Sequence, residues 1–185
     1  MTKQLYYTTK SNRLFKNQYR YKLMLFKFES HCHGSTTIPK QKYFKKIENV
    51  LTSTTEEFEL TQTYSHVMIL SNSKEFIDNI INVDPNRVAQ FSTVKKDDII
   101  ADTIFLPRIP FDFKVNLRKS LTNHKSFIEW ARPNKNIKLT NSCIRALNRD
   151  WSYGGTYFYV KGENNLLLAK MQLGEIIGKI EKIIN

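Results

Sequence analysis

The stretch NQYRYKLMLFKFES, residues 17–30, guides the interpretation of this chain, because its β-forming residues recur with a period of two. Side chains alternate between the two faces of a strand, so the pattern predicts one long β-strand. The chain has 185 residues, of which 41% are hydrophobic and 12% aromatic. That composition is sufficient for one compact domain or for two small ones with hydrophobic cores.

The segments after this strand alternate between helical and strand patterns. Residues 38–51, IPKQKYFKKIENVL, place apolar residues at helical spacing after a proline that suits a first helical turn. Residues 58–70 have the pattern of one or two strands, and residues 71–83 that of a helix with a Ser or Asn cap. Residues 97–106 predict a further strand. The prolines of LPRIPFD, at positions 107 and 110, then predict a domain boundary.

A second unit follows this boundary. Residues 111–118, FDFKVNLR, alternate apolar and polar side chains and predict a half-buried strand. Residues 123–133 predict a helix that ends at a proline, and residues 137–151 a short strand leading into a helical turn. Residues 154–184 predict a hairpin with GENN at its turn, followed by a short closing element.

Both halves therefore have the order of small mixed β-α-β units. The sequence predicts an α+β fold with a basic N-terminal unit, residues 1–110, and a C-terminal unit, residues 111–185. Each is expected to be a ferredoxin-like or RNA-recognition-like sandwich with an antiparallel sheet. A doubly wound sheet fits the sequence less well, because no strand–turn–helix segment contains a phosphate-binding loop. The halves share this order without a detectable sequence repeat.

Positive charge is concentrated in the first quarter of the chain. Residues 1–46 contain eleven lysines and arginines and one acid, Glu29, and thus carry +10 of the total net charge of +12. Such segregation is typical of a surface that binds a polyanion. Aromatic residues are interleaved with the basic ones, and such rings stack on exposed bases while lysine and arginine neutralise phosphates. The alternative is a solvated basic face whose aromatic residues belong to the core.

The main prediction is a non-catalytic protein that binds nucleic acid, DNA or RNA, through the phosphate backbone. The candidate binding residues of the N-terminal segment are Lys16, Arg20, Lys22, Lys27, Lys40, Lys42, Lys45 and Lys46. Alanine is scarce while Lys, Ile and Asn are abundant, a bias typical of AT-rich genomes such as those of many phages. A virion or assembly component that contacts a packaged genome is a further alternative.

A different interpretation starts from FKFESHCHGS, residues 26–35. If the strand continues through it, Glu29, His31 and His33 lie on one face and point two imidazoles and a carboxylate at one ion. This set resembles the metal site of the HUH nucleases. The resemblance implies a divalent cation as cofactor and Tyr43 as the nucleophile of a metal-dependent endonuclease or replication initiator. The alternative is that the histidines end a strand near phosphate, and no cofactor is then expected.

The segment GGTYFYVKG, residues 154–162, offers a second candidate surface, because Tyr157 and Tyr159 share one strand face. It is similar to the aromatic sheet surface of RNA recognition motifs, in which exposed rings stack on bases. That resemblance implies base stacking by both tyrosines, whereas packing in a core or at an edge is the alternative. Arg145 and Arg149 lie just upstream and are candidates for a basic rim.

The motifs that the sequence lacks exclude several classes of protein. The chain has no G-x-S-x-G, Walker-type loop, dinucleotide fingerprint or HExxH, which counts against the common hydrolases and nucleotide enzymes. It has no apolar run of about 20 residues and no apolar signal-peptide core, so no membrane partner is expected. Cys32 and Cys143 occur without a CxxC pair, which favours free thiols. We therefore expect an intracellular protein, either cytoplasmic or within a viral particle.

Overall fold

The computed structural model describes residues 6–32, 39–118, 124–148 and 156–185. These residues form an α+β structure with two five-stranded mixed sheets. The chain divides into two compact units, Met1–Ala101 and Asp102–Asn185. The division lies before the expected boundary between residues 110 and 111, because the short strand that follows residue 101 pairs within the second sheet.

The first unit contains five strands and two α-helices within its described residues. In chain order these are β1 (Tyr7–Ser11), β2 (Tyr21–Phe26), α1 (Lys40–Ser53), β3 (Phe58–Gln62), β4 (His66–Ser71), α2 (Lys74–Ile81) and β5 (Val88–Val94). The strands are ordered β1-β5-β2-β4-β3 across the sheet, and β1 runs parallel to β5 while the other neighbours are antiparallel.

The second unit contains five strands and three α-helices within its described residues. These are β6 (Thr103–Phe105), β7 (Phe113–Leu117), α3 (Lys125–Ala131), β8 (Ile137–Leu139), α4 (Asn141–Asn148), β9 (Tyr157–Val160), α5 (Glu163–Leu173) and β10 (Ile177–Ile184). The strand order is β6-β10-β7-β9-β8, and β6 runs parallel to β10 while the other neighbours are antiparallel.

The two units have the same strand order once their elements are matched. In each, an N-terminal edge strand runs parallel to the last strand of the unit. The other four strands are antiparallel and alternate with helices in a β-α-β-β-α-β succession, into which the second unit inserts α4. The predicted antiparallel sheet thus accounts for four strands of each unit, and the edge strand that runs parallel to its neighbour adds to it. Strand β1 was missed because it is short, polar and largely exposed. Strand β6 is also short, and the strand predicted over residues 97–106 was longer than the one observed.

Burial of one face of the sheet organises the first unit. Leu23 and Leu25 of β2 are fully buried in a cluster with residues from α1 and α2. Helix α2 begins where the sequence indicates, because the Ser73 hydroxyl accepts a hydrogen bond from the backbone N–H of Phe76. Strand β2, in contrast, ends at Phe26, several residues before the predicted end.

The predicted C-terminal hairpin was wrong. GENN does not form a turn between two strands but leads into α5, with Gly162 at a φ of +79° just before the helix. The helix was missed because its apolar residues lie on all sides. Leu166 and Leu173 are buried, whereas Leu167 and Met171 are exposed, so the segment lacks the single apolar stripe that indicates a helix.

Within the described residues, every helix is too short or too polar to cross a bilayer.

The core of the second unit can be tested at Phe158, which is fully buried with its ring centroid 5.3 Å from that of Phe127. We expect Phe158→Ala to lower the free energy of unfolding by about 3–5 kcal/mol, because it leaves a cavity. Both tryptophans, Trp130 and Trp151, belong to this unit, so their fluorescence during urea unfolding reports on it. Met171→Ala, at an exposed side chain, is the matched control and should stay within about 0.5 kcal/mol. Equal losses would contradict the assigned core.

Candidate functional site

Strand β2 separates two surfaces of the first unit. Since Leu23 and Leu25 face the helices, side-chain alternation puts Met24 and Phe26 on the opposite face of the sheet. Phe26 pairs with His66 of β4, and the two ring centroids lie 5.3 Å apart. The face away from the helices therefore carries an aromatic pair at the end where β2 stops.

Five rings form a continuous chain of contacts at this end. Beyond the pair of Phe26 and His66, the ring of His31 contacts Phe26 edge-on at a centroid distance of 6.2 Å. Phe28 contacts His31 edge-on at 5.7 Å and Tyr64 at 5.6 Å. We call these five residues the ring cluster. Tyr64 is 88% exposed and His31 is also exposed, so the cluster presents ring surface to solvent.

Two lysines border the ring cluster directly. The ammonium group of Lys40, at the start of α1, lies 5.2 Å from the centroid of Phe28, within the range of a cation–π contact. Lys27 Nζ donates a hydrogen bond to the carbonyl oxygen of Thr63 at 2.6 Å, just before Tyr64. Both positive charges are thereby held next to rings of the cluster.

Three further lysines follow along α1. Lys42, Lys45 and Lys46 are exposed, and their spacing places them along one side of the helix. Across residues 6–32, 39–118, 124–148 and 156–185, no ion pair engages their ammonium groups. Together with Lys27 and Lys40 they form what we call the lysine set.

The other three N-terminal candidates, Lys16, Arg20 and Lys22, lie before β2 or at its start, and each contacts another residue of the first unit. Lys16 pairs with Glu59 of β3. The guanidinium of Arg20 donates a hydrogen bond to the carbonyl oxygen of Asp97 at 2.6 Å. The ammonium group of Lys22 lies over a phenylalanine ring, 5.5 Å from its centroid. The partners of Lys16 and Arg20 come from beyond residue 46, so the charge of the N-terminal segment is partly offset in the folded unit.

The nuclease interpretation depended on a strand face that the structure does not contain. Residues Glu29–His31 form a 3-10 turn after the end of β2, so the prediction that Glu29 and His31 share a strand face was wrong. His33 and the side chain of Glu29 lie outside the described part of the chain. Among the described residues, no group of three His, Cys, Asp or Glu side chains is arranged to hold a metal ion.

Tyr43, the nucleophile implied by that resemblance, is fully buried. Its ring packs against the guanidinium of Arg87, whose Cζ lies 4.8 Å from the ring centroid, and Arg87 in turn lies 3.8 Å from the buried carboxylate of Asp84. Burial raises the pKa of the Tyr43 phenol, so it stays neutral. In this position Tyr43 is a core residue, out of reach of a phosphate on the surface.

The tyrosine surface of the second unit is covered. Tyr159 is 9% exposed, and its ring stacks on Phe111 at a centroid distance of 5.9 Å. Burial, together with a hydrogen bond with Tyr157, raises the pKa of Tyr159 to about 12. These rings pack against the segment between β6 and β7, so they are not an open stacking surface. Arg145 is exposed on α4, and Arg149 lies outside the described residues.

The sequence interpretation missed most of the ring cluster. It did not count Phe26, Phe28, Tyr64 or His66 among the binding residues. The one available signal was alternation on β4, which places His66 on the face opposite Val67. The contact with Phe26 depends on strand register, which cannot be read from either strand alone.

Comparisons with known proteins add no assignment, since no family model and no curated protein matches this chain. The function is therefore argued from the ring cluster and the lysine set.

The burial of Tyr43 leads to a stability prediction. Its hydroxyl has no hydrogen-bond partner among the described residues, so Tyr43→Phe should change the free energy of unfolding by less than about 1 kcal/mol. Asp84→Ala should cost about 3–5 kcal/mol, because it leaves the Arg87 charge buried without its carboxylate. Urea unfolding followed by far-UV circular dichroism measures both. A cost of several kcal/mol for Tyr43→Phe would show that the hydroxyl is paired.

The two thiols should differ in reactivity. Cys143 is fully buried, and burial raises its thiol pKa to about 12, whereas Cys32 is only half-buried. At about pH 8 Cys143 therefore stays protonated and inaccessible, and thiolate is the reactive form. Ellman's reagent should modify one thiol rapidly in the native protein and two in urea. Cys32→Ser should abolish the native reaction; a rapid reaction that survives this change would contradict the burial of Cys143.

Proposed function

We propose that this protein binds single-stranded nucleic acid, without cleaving it, through the ring cluster and the lysine set of its first unit. The observation that carries this proposal is the chain of five rings in contact, bordered by Lys27 and Lys40. Proteins that bind single strands combine rings for base stacking with basic groups along the backbone. A duplex hides the faces of its bases, so exposed rings favour a single strand.

The exposed lysines of α1 extend the site beyond the rings. Lys42, Lys45 and Lys46 are available to phosphates without first breaking an ion pair among the described residues. Each phosphate they neutralise releases counterions, which makes the affinity depend on salt. We therefore assign base stacking to the ring cluster and backbone binding to the lysine set.

The topology of the first unit is compatible with this proposal. Strands β2 and β4 lie inside the sheet and present Phe26 and His66 on the face away from the helices. RNA recognition motifs stack bases on rings in comparable positions of their central strands. The nuclease alternative has less support, because Tyr43 is buried.

Removing charge from α1 tests the proposal. We expect Lys42→Ala, Lys45→Ala and Lys46→Ala, combined, to reduce the slope of log K against log salt by about 2, since each lost contact removes about 0.7. The corresponding loss of affinity is about 10- to 100-fold at about 0.1 M salt. Fluorescence anisotropy with labelled DNA and RNA strands of about 15 nucleotides measures both quantities.

A matched variant separates local contacts from net charge. Lys135→Ala, Lys161→Ala and Lys170→Ala remove the same charge from exposed positions of the second unit. We expect this control to keep its affinity within about threefold and its salt slope unchanged. Equal losses for the two triple variants would mean that only net charge matters, and the proposed site would be wrong. Tighter binding to duplex than to single strand would equally count against it.

A further inference from the structure

A groove of about 540 Å³ lies between helix α1 and the edge strand β3. Phe28 and Tyr64 of the ring cluster line it, together with Phe44 and Leu51 of α1 and Leu60 of β3. Its volume is within the range of pockets that enclose small ligands, about 300–1,000 Å³. Because two members of the ring cluster belong to its wall, the groove continues directly from the surface assigned to base stacking.

Polar groups enter this apolar groove from both sides. Glu48 of α1 and Gln62 of β3 are part of its lining, and Lys27 and Lys40 are as well. A carboxylate accepts hydrogen bonds, while a carboxamide both donates and accepts them. The matching ligand has flat apolar faces, a polar edge with donors, and negative charge beside it. An unpaired nucleotide has all three properties.

Charge distinguishes this groove from another depression among the described residues of the first unit. That second depression, of about 280 Å³, lies between the end of α1 and the start of α2 and is lined by Glu56 and Glu75. Acidic side chains there repel phosphate. A strand held by the lysine set is therefore directed towards the groove beside Phe28 and Tyr64.

We infer that the groove between α1 and β3 holds one unstacked base of the bound strand, with the adjacent phosphates near Lys27 and Lys40. The inference rests on the proposed function and specifies its ligand. The carboxylate of Glu48 accepts from the exocyclic amino groups of adenine, cytosine and guanine, which thymine and uracil lack. The groove therefore favours bases that carry an amino group.

Filling the groove tests its occupancy. Leu60 lies on the edge strand and is 36% exposed, so Leu60→Trp can fill the groove without replacing a fully buried residue. We expect it to weaken binding of an oligodeoxycytidine of about 15 nucleotides by about tenfold, comparable with the loss of one stacked base. The salt slope should not change, because no phosphate contact is removed. Met171→Trp on α5 places the same ring on an exposed site and should bind normally; circular dichroism checks the fold of both.

Base preference provides an independent measurement. The wild-type protein should bind oligodeoxycytidine and oligodeoxyadenosine about fivefold or more tighter than oligothymidine, in line with one hydrogen bond to a charged group. Glu48→Ala should reduce this ratio towards one, because it removes the acceptor for the amino group, whereas the accompanying loss of one negative charge favours all three strands equally. A ratio that persists in Glu48→Ala would overturn the role given to Glu48.

Photocrosslinking locates the base directly. An oligodeoxycytidine with one 5-iodocytosine, irradiated in complex with the full chain, should give adducts at Phe28, Phe44 or Tyr64 by mass spectrometry. Adducts confined to other residues, together with normal binding by Leu60→Trp, would overturn the groove inference while leaving nucleic-acid binding in place. If no single strand binds the wild-type protein at all, the proposed function itself is wrong.

Discussion

Side-chain alternation on strand β2 is the constraint that couples the core of the first unit to its candidate site. Leu23 and Leu25 are buried by the helices, and each contributes about 1.5–3 kcal/mol by leaving water. The same period of two leaves Met24 and Phe26 on the opposite face. A register shift by one residue would exchange these two sets, so the core enforces the position of Phe26 beside His66.

A second contact fixes helix α1, which carries most of the lysine set. Arg87, immediately before β5, packs its guanidinium on the ring of Tyr43 in the first turn of α1. A buried ion pair adds little net stability, but breaking it leaves a buried charge and is costly. The pair of Arg87 and Asp84 therefore keeps the start of α1 in place, next to the end of β2 where Phe28 meets Lys40. The ring cluster and most of the lysine set are therefore positioned by the same core.

Local patterns were sufficient for much of the fold. The sequence predicted α1, α2, β3, β4 and β7 because each has a clear period or a cap such as Ser73. It failed at α5, whose apolar residues surround the helix, and at the polar edge strand β1. Both cases depend on tertiary packing, since α5 is held by the buried Leu166 and Leu173, and β1 by pairing with β5.

The candidate site was harder to predict, because its parts are distant in the sequence. Lysine counts along the first 46 residues included Lys16 and Arg20, whose partners Glu59 and Asp97 come from later segments. The contact between Phe26 and His66 arises from antiparallel pairing of β2 with β4. Charge segregation thus suggested a polyanionic partner, but it could not show which lysines are exposed in the folded unit.

The two units show why aromatic residues on a strand are insufficient evidence of a binding surface. Both sheets share one strand order, and both carry rings on the face away from the main helix-covered core. In the second unit the segment that joins the edge strand to the next strand, with Leu106 and Phe111, packs over Tyr159.

The equivalent segment of the first unit, residues 12–20, is held at the other end of the sheet by the contact of Lys16 with Glu59. It buries its own Leu14 and Tyr19 there and forms none of the contacts of the ring cluster. The path of the segment that joins the edge strand to the next strand therefore decides whether rings on this face are buried, as in the second unit, or exposed, as in the first.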